Sequence, residues 1–368
     1  MIPINKPQTD EAEVQAVIEV MRKGPITNAL GAGPKVLEFE KLFAEFAGVK
    51  HAVAVNTGTA ALHAAIMALG VKRDDEVIVP SFSFVATAEA VVLAGGKPVF
   101  TDINPRTYTL SPTAVEKAIT KKTKAIMPVD LYGFSADMKP LREIADKHGL
   151  CLVSDAAQAH GTTYAGKPAG TFADAACWSL YASKNMTTGE GGVITTNNDR
   201  TNEILRMIRT HGEKTKYASE ILGSNYRMPE LEAAIGIVQM RKLPTFIAKR
   251  RQNAEQLTKI LQTSDKIDLP FETETQHHSW YLYTARLKQS TEIQRNKLIE
   301  DLKAKGICAE AYYVNPIHTM PFYYENYGAT SSLPETEKAS KQVFSLPVHP
   351  GVNKEEIAFI GETVLNVL

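Results

Sequence analysis

The chain has 368 residues, of which 44% are hydrophobic and 22% are charged, and its 41 basic residues balance its 41 acidic ones. This length allows two domains and a large core, and the composition is that of an ordinary globular protein. Because the net formal charge is zero, the sequence gives no support to a nucleic-acid partner, and we expect a small-molecule enzyme or binding protein.

The cysteines, the histidines and the first residues exclude further classes. The cysteines Cys151, Cys177 and Cys308 are odd in number and far apart, which fits neither a disulfide framework nor a zinc site. The histidines form no ligand-like cluster, so we expect no metal. The N-terminal segment is unlike a signal peptide, and no apolar run approaches a membrane span. We therefore expect a cytoplasmic protein without a membrane partner.

Strand-like and helix-like segments alternate over the first part of the chain. The continuous apolar runs are typical of strands buried on both faces, so we predict an α/β fold with a mainly parallel sheet covered by helices. In chain order the predicted elements are strand 51–58, helix 59–70, strand 76–80, helix 87–96, strand 97–103, helix 112–120, strand 124–130, helix 138–149 and strand 150–155.

The pattern changes after about residue 200 and indicates a second, smaller α+β domain. Helices are predicted over 201–212 and 229–243, and Pro244 is a potential break before the chain continues helically. Further on we predict strand 281–287, helix 291–306, strand 307–313, a proline-rich loop and a final helix. We place the large domain at 1–245 and the small domain at 246–368.

The segment AVNTGTAALHAAI joins a predicted strand to an alanine-rich helix. Ligands of parallel sheets bind beyond the carboxyl ends of the strands, and this connection lies at such an end. Gly58, the hydroxyl of Thr59 and the backbone N–H groups of Thr59 and Ala60 would lie at the helix start, which favours a phosphate dianion. A helix cap without a ligand remains the alternative.

Asp155 ends the apolar run LCLVSD. A buried carboxylate at the end of a strand costs free energy unless it is paired. The protonated pyridine nitrogen of a bound cofactor would supply such a partner. A salt bridge or a helix N-cap would supply one as well. Gln158, one turn further on, could hydrogen-bond the phenolic oxygen of the same ring, although an amide without a role is the commoner case.

Lys184 lies in a stretch, TFADAACWSLYASKNMTTGEGGVITT, that is too apolar and glycine-rich for an exposed helix. Most lysines are solvated surface charges, but a Schiff-base lysine needs surroundings that allow its neutral amine. Ser179, five residues earlier, could reach the phosphate. Gly189, Gly191 and Gly192 permit unusual backbone geometry, and a simple hairpin turn is compatible with this.

A lysine amine, a buried carboxylate and a helix-start cradle are together what pyridoxal 5′-phosphate (PLP) requires. Phe84 could stack on its flat ring, although packing in the core is the commoner fate of a phenylalanine. Asn225 and Arg227 precede a predicted helix. His318 lies in the loop NPIHTMPFY, which could close over a substrate, and a histidine without a role is the alternative.

Ordered motifs along nearly the whole chain, from 24–40 to 345–351, resemble the DegT/DnrJ/EryC1/StrS family of sugar aminotransferases, which belong to the fold type I PLP enzymes. The motifs that carry the resemblance are NTGTAAL, DEVIVPSFSFVAT, SDAAQAHG, SLYASKNMTTGEGG and NYRMPELEAAIG. The resemblance implies a homodimer with two active sites at the subunit interface.

The resemblance also implies roles for single residues. Lys184 would bind the cofactor covalently, Asp155 would pair with its pyridine nitrogen and Gln158 would contact its ring oxygen. The remaining cofactor contacts would be Phe84 on the ring, Thr59, Ala60 and Ser179 on the phosphate, and Asn225 on the phosphate of the neighbouring subunit. Arg227, Tyr312, Tyr313 and His318 would contact the substrate, with segment 24–31 lining the same cleft.

The implied reaction moves the amino group of glutamate through the cofactor, by way of its amine form PMP, to a nucleotide-linked ketosugar. A fold type I enzyme acting on amino or keto acids is an alternative, and a PLP-binding regulatory protein without turnover is another. Three residues depart from the common family pattern, namely Asp130, Ser154 and Leu180. They leave the sugar carbon, the sugar and the nucleotide open.

Overall fold

The computed structural model describes residues 1–327 and 332–368. In these residues the helices α1 to α12 are, in chain order, Glu11–Lys23, Pro34–Ala47, Gly58–Ala68, Ala86–Leu93, Pro112–Ala118, Met138–His148, Asp199–Ile208, Glu230–Leu261, Glu292–Ala304, Pro321–Tyr327, Pro334–Gln342 and Lys354–Val367. The strands β1 to β15 are His51–Val55, Glu76–Pro80, Lys97–Thr101, Thr123–Ile126, Cys151–Asp155, Thr163–Tyr164, Lys167–Pro168, Ala175–Ser179, Gly192–Thr196, Glu213–Thr215, Ala218–Ser219, Ile267–Asp268, Gln276–His277, Tyr283–Leu287 and Val343–Leu346.

A seven-stranded sheet forms the centre of the larger part, in the order β1-β9-β8-β5-β4-β2-β3. Strand β9 runs antiparallel to both of its neighbours, β1 and β8, and the other pairs in the sheet are parallel. The predicted α/β fold with a mainly parallel sheet is therefore confirmed. The sequence reading did not anticipate the antiparallel insertion of β9, because β8 and β9 are joined by the irregular segment that contains Lys184.

Helices cover both faces of this sheet because each strand sends alternate side chains into opposite cores. Val77 and Val79 of β2 pack with α3 and α4, whereas Ile78 between them packs with α5 and α6. At the other end of the sheet, α2 and the first half of α8 cover β1, β8 and β9. Helix α3 therefore packs on the same face of the sheet as α4, and its first turn lies at the carboxyl ends of the strands.

The second part of the chain has its own apolar core, built on the antiparallel sheet β12-β14-β15. Helix α8 connects the two cores, since its first half packs below the large sheet and its second half packs with α9 and α12. Pro244 does not interrupt this helix, contrary to the expectation from sequence. Buried residues on both sides of Pro244 hold the helix continuous, which offsets the hydrogen bond that proline removes. The domain boundary at 245/246 falls inside this helix and stays a prediction.

One predicted strand is wrong. Segment 307–313 contacts the small sheet only through a single bridge between Glu310 and Ser345, and another bridge joins Ile307 to Ile2. Its apolar residues are buried by the core rather than by a continuous ladder, so the apolar pattern alone indicated a strand that does not form. In the described residues, no helix combines the length and apolar character needed to cross a membrane.

Candidate active site

The first residue of α3, Gly58, and the preceding Thr57 lie against the last residue of β8 and the first residue of β9. A Cβ atom at Gly58 would lie 2.8 Å from Cβ of Ser179, and one at Gly192 would lie 2.3 Å from the backbone oxygen of Thr57. Only residues without side chains allow this approach. The start of α3 and the Ser179 side chain are thereby brought together in what we call the α3 cradle, and the binding of a phosphate group there stays a prediction.

The cradle differs from the sequence prediction in one respect. The backbone N–H of Ala60 is not free, because it donates to Oγ1 of Thr57 at 2.9 Å. Thr57 is the N-cap residue of α3. A phosphate at this helix start would therefore bind the backbone N–H groups of Gly58 and Thr59 and the Thr59 hydroxyl. It would bind the Ala60 N–H less readily.

Replacing Gly192 with alanine is expected to weaken cofactor binding about tenfold or more, because the new methyl group would push the start of α3 away from β9. Loss of one or two charge-assisted hydrogen bonds to a phosphate corresponds to about 1.5–3 kcal/mol each. The dissociation constant of PLP, measured by fluorescence titration, tests this. Gly24→Ala is the matched control, since its Cβ would lie no closer than 3.6 Å to other atoms. Equal affinities in the two variants would contradict the prediction.

Asp155 is buried at the carboxyl end of β5, with 5% of its surface exposed. Its carboxylate accepts a 2.8 Å hydrogen bond from the Thr87 hydroxyl and a 3.2 Å hydrogen bond from the Ala157 amide. Burial raises the pKa of Asp155, whereas these two donors and the charge of Lys184 lower it. No basic group of the described residues forms a salt bridge with it, so a cationic ligand group would find a fixed carboxylate here.

Two of the residues that depart from the family pattern contact each other beside Asp155. The hydroxyl of Ser154 donates to Oδ2 of Asp130 at 2.8 Å, and the Ala136 amide donates to its other oxygen at 2.9 Å. The backbone of Asp130 in turn donates to that of Asp155. Burial raises the pKa of Asp130 to about 6, although its hydrogen bonds lower it and the neighbouring Asp155 raises it further. The two departures therefore form one buried pair.

Asp130→Asn is expected to make the protein more stable than the wild type at pH 8, by about 1–3 kcal/mol. The folded pKa of about 6 lies about two units above the ordinary value of 3.8, so the wild type loses stability as the pH rises through that window. The Oδ1 of asparagine can still accept from the Ala136 amide, and its Nδ2 can donate to the Ser154 hydroxyl, which then acts as the acceptor. Urea unfolding at pH 8 and at pH 4 measures the difference, which should nearly vanish at the lower pH. A difference independent of pH would contradict this assignment.

Lys184 lies half-buried in the segment between β8 and β9, with its backbone N–H donating to the Tyr181 carbonyl at 2.9 Å. Its Nζ lies 4.8 Å from the centre of the Tyr281 ring. In the described residues this amine has no carboxylate within salt-bridge distance. The amine therefore contacts an aromatic ring rather than a carboxylate, and it remains available for covalent chemistry.

His160 lies on the inner side of the lysine segment and is fully buried. Neither of its ring nitrogens has a hydrogen-bond partner in the described part of the chain. Burial lowers the pKa of His160 to about 3, and the charge of Lys184 lowers it as well. The imidazole is therefore neutral at working pH and does not compete with Lys184 for a counter-ion.

Gln158 is buried and its amide is fixed at both ends. Its Oε1 accepts a 2.7 Å hydrogen bond from the backbone of Tyr132, and its Nε2 donates to the Tyr313 hydroxyl at 2.8 Å. The ring of Tyr313 lies parallel to that of Tyr132. The predicted cofactor residue Gln158 and the predicted substrate residue Tyr313 are therefore in direct contact, and Tyr312 follows through its carbonyl, which accepts from the Tyr132 hydroxyl at 2.6 Å.

Phe84, Asn225 and Arg227 lie nearer the surface. Phe84 is 58% exposed, so its ring is not part of the core and remains open for stacking. Asn225 is exposed and its carbonyl accepts a hydrogen bond from Asn56, beside the α3 cradle. Arg227 donates to the Thr210 hydroxyl at 3.3 Å. Their assigned contacts with the cofactor and the substrate stay predictions.

His318 is not directed into an open cleft. It is 4% exposed, its Nδ1 lies 2.6 Å from the Ser81 hydroxyl, and its Nε2 lies 3.6 Å from the Glu337 carboxylate. Burial lowers its pKa, and the Glu337 charge raises it. In this structure His318 anchors its loop through Ser81 and Glu337, and its predicted contact with the substrate stays a prediction. The loop motif gave the position of the residue but not the direction of its side chain.

The structure adds residues that the sequence did not single out. Thr87 supports Asp155, Tyr132 orients Gln158, and Tyr281 and His160 flank Lys184. Thr87 lies three residues after Phe84 in a motif already noted, which was the available signal. Tyr281 gave no signal, because more than ninety residues separate it from Lys184.

These observations fit PLP. The glycine cradle suits a phosphate, Asp155 lacks a cationic partner in the described residues, and the Lys184 amine is accessible from the same edge of the sheet. The fold and site thus define the class as an α/β aminotransferase. The chain belongs to the DegT/DnrJ/EryC1/StrS aminotransferase family, whose model matches residues 7–365. The family prediction from sequence is therefore confirmed.

Individual relatives agree with this membership. The chain is 39% identical to GDP-perosamine synthase of Caulobacter vibrioides, over 97% of this chain and 95% of that protein. S. venezuelae DesV, solved in complex with a ketimine intermediate, is 36% identical with a TM-score of 0.91, over 96% and 93% of the two chains. The PLP form of Spr1654 from Streptococcus pneumoniae is 29% identical with a TM-score of 0.93, over 100% and 99%. The same protein has also been solved in its PMP form.

Proposed function

We propose that this chain uses PLP and PMP to move the amino group of glutamate to a nucleotide-linked ketosugar. The observation that carries the proposal is the set formed by buried Asp155, buried Gln158 and half-buried Lys184 at the carboxyl edge of the sheet, next to a glycine cradle. The relatives named for GDP- and dTDP-linked aminosugars support the nucleotide sugar as the acceptor.

When bound, PLP would supply an electron-poor ring that accepts the charge left at the substrate carbon. Asp155, fixed by Thr87, would hold a proton on the pyridine nitrogen through its negative charge. Gln158, already oriented by Tyr132, would position the ring oxygen. The cradle at Gly58, Thr59 and Ser179 would bind the phosphate.

Lys184 would carry the cofactor and, once its amine is released, would move the proton between the substrate carbon and the cofactor carbon. The amine enters this role with a neutral imidazole, His160, and an aromatic ring, Tyr281, as its neighbours. Neither neighbour forms an ion pair with the amine, so no salt bridge to these two residues holds the Lys184 side chain away from a cofactor.

The complete site would be formed by two copies of the chain. Phe84 and Asn225 are exposed in a single copy, although both are assigned to cofactor contacts. In a homodimer, Asn225 would reach the phosphate bound by its neighbour. Arg227, Tyr312, Tyr313 and segment 24–31 would line the sugar-nucleotide cleft.

Two spectroscopic titrations test the proposed function. The purified, yellow holoenzyme should lose its visible absorbance with glutamate and regain it when a ketosugar nucleotide is added. Loss of colour with many amino acids and no recovery with any ketosugar nucleotide would instead support an enzyme of amino and keto acids. Colour that no amino donor changes would support a regulatory protein and contradict the proposal.

A further inference from the structure

A cavity of about 430 Å³ lies at the carboxyl edge of the large sheet, beside the candidate active site. It is enclosed by the loop 105–108 after β3, by the turn 131–134 after β4 and by residues 267–271 and 284–286 of the small sheet. None of the residues assigned above to the cofactor lines it. Its size is in the range of small-molecule sites, and its place at the strand ends is where α/β sheets bind ligands.

The cavity carries positive charge that the protein does not neutralise by direct pairing. Arg286 is 8% exposed, donates to Gln342 at 2.7 Å and to the Pro105 carbonyl at 3.2 Å, and lines the cavity. Arg106 lies at the exposed mouth. In the described residues neither guanidinium has a carboxylate within 4 Å. Asp268 also lines the cavity, and its carboxylate pairs with Lys288 at 3.4 Å rather than with either arginine. A buried guanidinium fixed by neutral oxygens is suited to an anion.

The cavity also presents flat apolar surfaces beside these charges. The Arg106 guanidinium lies 4.7 Å from the centre of the Phe271 ring, which presents it in a fixed orientation. Phe134 packs against both Phe271 and His278, at 5.6 and 5.7 Å between ring centres. Burial lowers the pKa of His278 to about 3, so this ring is a neutral planar surface. The cavity therefore combines positively charged side chains, which attract anions, with flat aromatic rings, which can stack on a planar ligand.

We propose that this cavity is a second ligand site, which binds a small organic anion with a planar ring. The negative group would lie between Arg286 and Arg106, and the ring would lie against Phe134 and Phe271. Tyr132 forms the wall shared with the active site, since its ring lines the cavity and its backbone N–H holds Gln158. The site is distinct from the proposed transamination site and does not depend on that function.

The experiment is calorimetric titration of the PLP-loaded protein with two probes, phthalate and uridine 5′-monophosphate, which represent aromatic carboxylates and mononucleotides. We expect at least one probe to bind, and Arg106→Ala and Phe271→Leu each to weaken that binding about tenfold. Arg200→Ala, at an exposed arginine elsewhere, is the matched control and should leave the affinity unchanged. The probe that responds identifies the source of the ligand.

Two outcomes would overturn the proposal. One is the absence of binding by both probes at millimolar concentration. The other is binding with the same affinity in the wild type and in Arg106→Ala, which would mean that a probe occupies the cofactor or substrate cleft instead. Because Arg106 is exposed and without an ion pair, its replacement should leave the fold intact, and circular dichroism checks this.

Discussion

Lys184→Ala is expected to lower kcat by about 10³-fold or more and to abolish the visible absorbance of the lysine-bound cofactor, while the protein stays folded and keeps the oligomeric state of the wild type. A positioned group that transfers protons contributes about 10²- to 10⁴-fold by itself, and the variant also loses the covalent link. The measurements are steady-state transamination, absorbance spectroscopy and size-exclusion chromatography.

A matched control is Lys259→Ala, which removes an exposed lysine of α8 in the small domain. It should retain both the activity and the spectrum of the wild type. Borohydride reduction followed by peptide mass mapping adds an independent readout, since the label should be on the peptide that contains Lys184. A label on another lysine, or retained turnover in Lys184→Ala, would disprove the assigned role.

Asp155→Asn is expected to give the second largest effect, a loss of about 10²- to 10³-fold in kcat. The carboxylate is buried and fixed by Thr87 and Ala157, so the substitution removes a charge without changing the shape of the site. Loss of one member of a buried charge pair costs about 3–5 kcal/mol, of which part is felt in the transition state. Stopped-flow measurement of each half-reaction locates the loss.

The neighbouring carboxylate supplies the control for this variant. Asp130→Asn makes the same chemical change one strand away, where the side chain contacts Ser154 and Ala136. It should reduce kcat less than tenfold, because only the backbone of Asp130 bonds to Asp155, and its side chain contacts none of the residues assigned to the cofactor. Similar losses in the two variants would show that general electrostatics at this edge, rather than a specific pair with Asp155, determines the rate.

Much of the fold was predictable because the pattern was local. The runs 76–80 and 150–155 are continuously apolar, and the helices between them have turn signals at both ends, so element type and sheet class followed from periodicity. The strand predicted over 307–313 failed for the same reason. Its apolar residues are required by the core, and burial does not specify a ladder partner.

In the candidate site as well, local motifs predicted some features, and contacts between distant residues determined others. Lys184, Asp155 and Ser179 were recognisable because each lies in a distinctive local motif, and the structure brings Ser179 to the α3 cradle. His318 was also in a distinctive motif, yet its side chain bonds to Ser81 and is buried. A motif fixes the position of a residue in the chain, whereas the direction of its side chain depends on distant partners.

The sequence by itself determined the alternating α/β pattern and the family, and it supplied the predictions for Lys184 and Asp155, because these depend on residue type and on spacing within short segments. Only the tertiary structure decided that Asp130 pairs with Ser154, that Tyr132 orients Gln158 and that Tyr281 lies over Lys184. These contacts join residues that are 24, 26 and about a hundred positions apart. They form because strands distant in the chain end at one edge of the sheet, and packing across that edge is not encoded in any single segment.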